Sequence, residues 1–199
     1  MRVALVSSNP GKLRELKALL PEWELEALDT SGIAEEAGAT FFENARGKAL
    51  FGRRKAPAAT WVLGEDSGLE VDGLGGAPGI RSARYAGPDA TDAENLRRLL
   101  EQLGGVSGDS RRARYVCELV LLSPGGEAYR GQGTLEGAIA ENPRGSGGFG
   151  YDPAFVPLGE TRTVGQLGDE WKRSHSHRAA AAAALRDAVA GGRTSRDVW

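Results

Sequence analysis

The chain has 199 residues, 40% of them hydrophobic and 26% charged, which suits one globular domain or one domain with two lobes and excludes a disordered chain. The 25 lysines and arginines nearly balance the 27 aspartates and glutamates, so the net charge of −2 excludes the strongly basic surface that holds DNA or RNA. The single cysteine excludes a disulfide framework and a thiolate metal cluster.

The first apolar run, residues 3–6, is too short for a signal peptide. No apolar run in the chain has the length of a transmembrane helix. We therefore expect a cytoplasmic protein that has neither a membrane nor a nucleic acid as its partner.

Strand and helix patterns alternate through the first half of the chain, and a long hairpin follows. In order, the sequence predicts a strand over 2–7, a helix from Pro10 up to Pro21, a strand over 23–28, a helix from Thr40 to about Lys55, a strand over 60–63, a helix from Thr91 to about Leu103, paired strands over 114–122 and 128–140 and a short strand within 152–156. The last predicted helix has Ser174 or Ser176 as its cap, continues through 179–185 and ends at the glycines 191–192. This order predicts an α/β fold with a mixed sheet. No linker divides residues 1–190, and we expect the tail 191–199 to be frayed from Arg193 onward.

Capping signals mark the starts of the first three helices. Asn9 before Pro10 has the pattern of an N-cap followed by the first helical residue. Thr40 and Thr91 are each followed three residues later by glutamate, which is the capping-box pattern. These starts are therefore predicted from local chemistry alone.

The turn between the first strand and the first helix has the composition of a phosphate site. It consists of Ser7, Ser8, Asn9, Pro10, Gly11 and Lys12. Free backbone N–H groups at a helix start, together with a lysine, can hold phosphate. The Walker A spacing is absent, however, and an ordinary capped turn with a surface lysine has the same pattern.

Two pairs of adjacent acids are candidates for metal binding and catalysis. Glu65 and Asp66 follow the third strand, and Glu35 and Glu36 precede the second helix. Because successive strand residues point to opposite faces, Glu65 and Asp66 can serve one site only if the strand breaks at 64–68, which the flanking glycines permit. One acid from each pair, with substrate phosphates, would suffice for Mg²⁺, and the alternative is a solvated acidic loop.

Two later segments have features of a base-binding site. Residues 147–153 place aromatic side chains among glycines, which suits a ring stacked on a base, or else a tight bulge that packs Phe149 inward. Lys172 precedes the segment 176–178, where His177 and Arg178 can donate hydrogen bonds to base carbonyl oxygens.

The combination of motifs is more specific than any one of them. The motifs are Ser-x-Asn-x-Gly-Lys at 7–12, Phe-Glu-Asn-Ala at 42–45 with Lys48, Glu-Asp-Ser-Gly-Leu at 65–69, Leu-Gly-Gly-Ala-Pro-Gly at 74–79 with Ser-Ala-Arg-Tyr at 82–85, Gly-Gly-Phe-Gly-Tyr-Asp-Pro at 147–153, and Lys172 with Ser-His-Arg-Ala at 176–179. In this order they closely resemble the inosine triphosphate pyrophosphatase family, the Ham1-like dITP/XTP pyrophosphatases, over residues 2–188.

The resemblance implies a fold and an activity. The expected fold is a long, curved mixed sheet whose helices form two lobes around a central active-site cleft. The expected reaction is Mg²⁺-dependent hydrolysis of the purine nucleoside triphosphates ITP, dITP and XTP to the monophosphate and pyrophosphate, and the expected assembly is a homodimer.

The resemblance also implies roles for individual residues. Residues 7–12 and Lys48 would contact the phosphates, Glu36 and Asp66 would bind Mg²⁺, and Asp66 would also be the general base. Ser67 would contact the substrate. The pocket for the base and sugar would be formed by Phe149, Gly150, Tyr151 and Asp152, and the edge of the base would be bound by Lys172, His177 and Arg178. Relatives often carry two aspartates where this chain has Glu65 and Asp66, so Glu65 stays open as the alternative base, as does Glu35 as the alternative ligand.

Two rival functions share these features. One is a house-cleaning pyrophosphatase for modified pyrimidine nucleotides, which base preference would distinguish. The other is a catalytically inactive sensor of purine triphosphates, which would show no Mg²⁺-dependent turnover.

Overall fold

The computed structural model describes residues 1–31 and 38–198, except for the side chain of Asp197. The strands are β1 (Arg2–Val6), β2 (Glu24–Ala27), β3 (Trp61–Val71), β4 (Arg112–Leu122), β5 (Ala128–Ile139) and β6 (Phe155–Pro157). The helices are α1 (Pro10–Leu19), α2 (Phe41–Lys55), α3 (Asp92–Gln102), α4 (Val164–His175) and α5 (His177–Ala190). Within the described ranges, no helix is both long and apolar enough to cross a membrane.

The strands form one mixed sheet in the order β2-β1-β3-β4-β5-β6. β1 pairs in parallel with both β2 and β3, and β5 pairs antiparallel with β6. Parallel pairs come from the early alternation of strand and helix, since a parallel neighbour needs a crossover. The predicted α/β class with a mixed sheet is confirmed.

The chain packs as two compact units. The first comprises Met1–Asp66, Cys117–Gly133 and His177–Trp199, and the second comprises Ser67–Val116 and Thr134–Ser176. The main core of the first unit is built from β1, the middle of β4 and the apolar faces of α1 and α5. The core of the second unit contains Leu69, Leu99, Tyr115 and Phe155.

The predicted helix starts are confirmed. The Asn9 side chain accepts hydrogen bonds from the first turn of α1, and complete capping boxes at Thr40 and Thr91 open α2 and α3. The hairpin of β4 and β5 is also as expected, with its turn closed by the Ser123 N–H donating to the Glu127 carbonyl oxygen at 2.8 Å.

The expected break in β3 is wrong, because the strand continues from Trp61 through both acids to Val71. Gly64 does not end the strand but lets α2 approach it. A Cβ there would lie 2.0 Å from the carbonyl oxygen of Ala45 and 2.6 Å from the backbone nitrogen of Ala49. In an unbroken strand, Glu65 and Asp66 point to opposite faces, so the two carboxylates do not both face one substrate.

Helix α4 was not expected from the sequence. Its interior contains Gly168 at φ 79°, a left-handed conformation that interrupts the helical periodicity. A local signal does exist at its start, where the Thr163 N–H donates to the Gln166 side chain at 3.1 Å.

The C-terminal tail is not frayed at Val198. This side chain is fully buried in a cluster with Ala45, Leu122 and Ala128. Arg46 Nε donates to the Val198 carbonyl oxygen at 2.5 Å, and the Ser195 N–H donates to the Ala128 carbonyl oxygen at 2.7 Å. The tail therefore covers an apolar cluster that the rest of the first unit leaves open.

Candidate active site

One face of β3 carries Glu65 into a buried cluster of charges. Glu65 Oε2 lies 2.7 Å from Lys12 Nζ on α1, and Oε1 accepts a hydrogen bond from Arg178 Nη2 on α5 at 3.2 Å. Arg178 also donates to Glu15 on α1, and Cys117 Sγ on β4 lies 3.8 Å from Glu65 Oε1. Two carboxylates thus face two cations, which is the compensation that buried charges require.

Glu65 and Arg178 are held in their charged forms. Burial raises the pKa of Glu65, but the positive charges of Lys12, Arg178 and Lys48 lower it by more, so this pKa lies well below its usual range. Burial lowers the pKa of Arg178, and Glu65 and Glu15 raise it by more. Burial, followed by the charge of Glu65, raises the pKa of Cys117, which therefore stays a neutral thiol.

Glycines on β5 bring α5 close enough to place Arg178 in this cluster. A Cβ at Gly133 would lie 2.1 Å from the carbonyl oxygen of His177, and one at Gly131 would lie 2.3 Å from that of Ala181. The first turn of α5 therefore rests directly on the strand, and the buried Arg178 follows immediately.

The opposite face of β3 carries Asp66 toward α2. Lys48 Nζ lies 2.8 Å from Asp66 Oδ1 and also donates to the Glu65 carbonyl oxygen at 3.1 Å. Asn44 Nδ2 donates to Asp66 Oδ2 at 3.2 Å. Asn44 and Lys48 are four residues apart, on one side of the helix, so a single helix face holds this carboxylate.

The turn before α1 uses its own backbone donors. The Asn9 side chain accepts from the Gly11 N–H at 2.8 Å and the Lys12 N–H at 3.2 Å, and Pro10 has no N–H. The Asn9 N–H donates to Ser7 Oγ at 3.2 Å. The N–H groups of Gly11 and Lys12 are thus engaged in capping, and the side chain of Lys12 is the cation that this turn contributes.

A second group of predicted residues is organised around Asp152 in the second unit. The buried Asp152 carboxylate accepts from Lys172 Nζ at 2.7 Å, the Tyr115 hydroxyl at 3.2 Å and the Phe149 N–H at 3.0 Å. Lys172 Nζ also lies 4.7 Å from the centre of the Phe149 ring. Gly148, at φ 76°, leaves room for the carboxylate, since a Cβ there would lie 2.1 Å from Asp152 Oδ2.

Four further residues predicted for the site lie outside these two groups. Tyr151 is a core residue whose hydroxyl donates to the Ser82 carbonyl oxygen at 2.8 Å, and burial raises its pKa. The Gly150 N–H donates to Asp92 at 2.9 Å. Ser67 is partly buried and Ser8 is exposed.

The expected metal ligand Glu36 and its alternative Glu35 lie outside the described residues. Within the described part of the chain, no three His, Cys, Asp or Glu side chains are grouped as they would be around a metal ion. Asp66 is therefore the predicted ligand whose surroundings are known.

The first unit thus assembles Lys12, Lys48, Glu65, Asp66 and Arg178, and the second assembles Phe149, Asp152 and Lys172. Sequence reasoning gave no role to four of their partners, which are Glu15, Asn44, Tyr115 and Cys117. Asn44 lies inside a quoted motif and Glu15 lies one helical turn after Lys12, so both had a local signal. Tyr115 had none, because it meets Asp152 from 37 residues away.

Known proteins share both the sequence and the fold. The family model described as the Ham1 family matches residues 3–188. A dITP/XTP pyrophosphatase of Thermus thermophilus is 45% identical over 100% of this chain and 96% of its own, and one of Bdellovibrio bacteriovorus is 44% identical over 91% and 94%. The Ham1 protein of Staphylococcus aureus superposes with a TM-score of 0.84 at 36% identity, over 97% of this chain and 100% of its own. The chain therefore belongs to the Ham1 family.

Proposed function

We propose that this protein is a nucleoside-triphosphate pyrophosphatase that hydrolyses dITP, XTP and ITP to the monophosphate and pyrophosphate. The names of its relatives give the reaction and the dITP and XTP substrates. The observation that carries the proposal is the buried Asp66 carboxylate, held by Lys48 and Asn44 on a strand whose other face carries the ion pair of Glu65 with Lys12.

In this proposal, Lys12 and Lys48 bind the triphosphate, and Asp66 orients the attacking water and accepts its proton. Phosphoryl transfer depends mainly on positioning and on neutralising the charge of the phosphate oxygens, which two lysines at fixed sites can do. A carboxylate held by two partners is already oriented before substrate arrives. No covalent nucleophile is needed.

The residues of the chain fit a magnesium ion. Mg²⁺ binds proteins through one or two carboxylates together with substrate phosphates and water, and Asp66 supplies such a carboxylate. We propose Asp66 and Glu36 as its ligands. The bound ion would supply charge neutralisation at the triphosphate.

For base recognition we propose the Phe149 ring as the stacking surface, with Gly150, Tyr151 and Asp152 in the same loop. Asp152 supports this role because it fixes both the Phe149 backbone and Lys172. Donors from Lys172, His177 and Arg178 would favour the 6-carbonyl of hypoxanthine and xanthine over the amino group of adenine. Sites built on such hydrogen bonds reject the wrong partner by as much as ~10⁴-fold.

The test is pyrophosphate release with Mg²⁺ from dITP, XTP, ITP, GTP, ATP and dUTP, compared with the Asp66→Asn variant. We expect release from dITP, XTP and ITP, little from ATP or dUTP, and a fall in kcat of about 10²–10⁴-fold in the variant, because a positioned base contributes that much. Turnover mainly of dUTP would favour the pyrimidine class, and no turnover at all would favour a sensor.

The proposal also includes a homodimer in the cytoplasm, as the family resemblance implies. Light scattering coupled to size-exclusion chromatography measures the assembly directly. A mass of one 21.0 kDa chain would contradict the dimer.

A further inference from the structure

We infer that Glu65 is a positioning residue and not the general base: its carboxylate fixes Lys12 and Arg178 in place, and so sets where Lys12 meets the triphosphate. The inference rests on the proposed function, in which Lys12 binds phosphate. It resolves the choice between the two adjacent acids that the sequence leaves open.

Glu65 is enclosed on all sides by groups of the first unit. Glu65 is 0% exposed and is surrounded by groups from three other elements: Lys12 on α1, Arg178 on α5 and Cys117 on β4. Each carboxylate oxygen already lies against a cation. These contacts tie Glu65 to one cation on each of two helices, which is the arrangement expected of a group that positions cations.

The two acids of β3 have different neighbours. Because the strand is unbroken at 65 and 66, the two carboxylates point to opposite faces. Asp66 lies among an amide and a lysine of α2, whereas Glu65 lies between two cations from two different helices. Glu65 thus joins α1 to α5, and Asp66 joins β3 to α2.

The ammonium of Lys12 is held by its ion pair with Glu65. A lysine has a flexible four-carbon stem and a compact ammonium with three donors, so one ion pair can fix the ammonium in place with one donor while other donors face a phosphate. Its side chain is 13% exposed, in contrast to the fully buried Glu65 side chain. Lys12 Nζ is therefore held at the buried carboxylate by a side chain that is itself partly exposed, and its position depends on Glu65.

The test compares Glu65→Gln with Glu118→Gln. Glu118 is a matched control, since it is also a buried carboxylate of the first unit, paired with Arg130 at 2.7 Å and outside the proposed machinery. KM and kcat are measured for dITP at saturating Mg²⁺. We expect Glu65→Gln to raise KM by about tenfold or more and to lower kcat by a smaller factor, since it loosens a phosphate contact. We expect Glu118→Gln to leave both constants unchanged.

A double-mutant cycle with Lys12→Met identifies the route of the effect. If Glu65 acts through Lys12, Glu65→Gln should change kcat/KM by less than about threefold once Lys12 is gone. An equal loss in both backgrounds, with kcat reduced about 100-fold at unchanged KM, would overturn the inference and make Glu65 the base.

Two further outcomes are distinguishable. Absence of turnover in the unmodified enzyme contradicts the proposed function and the inference with it, whereas turnover with additive effects contradicts only the inference. If Glu65→Gln does not fold, Glu65→Asp replaces it. Its shorter carboxylate should draw Lys12 back and raise KM at nearly constant kcat, and a fall in kcat alone would overturn the inference.

Discussion

Single side chains in this protein owe their roles to partners that are distant in sequence. Asp152 is the clearest case, because its carboxylate is shared by a lysine, a tyrosine hydroxyl and a backbone N–H. Lys172 neutralises its charge, Phe149 is fixed through its backbone, and Tyr115 contributes a hydrogen bond from β4. The three contacts together determine the shape of the 147–153 loop.

Removing the Tyr115 hydroxyl should therefore weaken the second unit without removing an ion pair. We expect Tyr115→Phe to lower the free energy of unfolding by about 1–3 kcal/mol, because a hydrogen bond to a charged group is lost in a buried setting. Urea unfolding measures this. Tyr129→Phe is the control, since its ring contact with Trp61 is retained. Equal stability of both variants would show that the Tyr115 contact is energetically neutral.

Helices and strands position the site through close backbone packing. Gly64 on β3 lets α2 approach until helix backbone atoms occupy the space of a side chain, and the same helix carries Asn44 and Lys48. The distance between Asp66 and its partners therefore depends on the absence of a Cβ two residues earlier.

Gly64→Ala should destabilise the protein and reduce activity together. A methyl group 2.0 Å from the Ala45 carbonyl oxygen forces α2 away from β3, so we expect a loss of about 3 kcal/mol or more and a lower kcat. Gly47→Ala is the control, because nothing lies within 4 Å of its Cβ and alanine favours a helix by about 0.5–1 kcal/mol. Unchanged kcat in a folded Gly64→Ala protein would contradict this account.

Features of the fold that have a cause nearby in the sequence could be predicted, and features that depend on residues distant in the chain could not. Caps at Asn9, Thr40 and Thr91 were predictable because the cap and its helix are adjacent in the chain. The continuity of β3 was not, because glycine suggests a break unless a neighbouring helix is known to need the space. Helix α4 was missed because Gly168 interrupts its pattern.

The site divides in a similar way. The motif lysines and acids were recognisable from order and type, but the grouping of Glu65 with Arg178 and of Asp66 with Asn44 depends on which face of β3 each occupies. The face that each acid occupies can be assigned only once β3 is known to continue unbroken through both acids.

At the scale of the molecule, the C-terminal segment packs against residues that are distant in the sequence. Val198 completes a cluster on the first unit, and Arg46 holds its carbonyl oxygen. We expect Val198→Ala to lower the free energy of unfolding by about 1–2 kcal/mol, since two buried carbons are removed. Leu158→Ala, at an 82% exposed side chain, is the control and should have no effect. Equal thermal stability of the two variants would contradict the packing role of the tail.

The pair of Glu65 and Arg178 has a consequence for synthesis of the protein on the ribosome. The two residues are 113 positions apart, so the carboxylate leaves the exit tunnel long before its guanidinium partner is translated. Until then the cluster has both of its carboxylates, Glu15 and Glu65, but only one of its two cations, Lys12, so its burial is unfavourable. A nascent chain that stops before position 178 therefore cannot close the first unit. Such a chain also lacks the α5 residues that complete the core of the first unit, so apolar residues of that core stay exposed until synthesis is nearly finished.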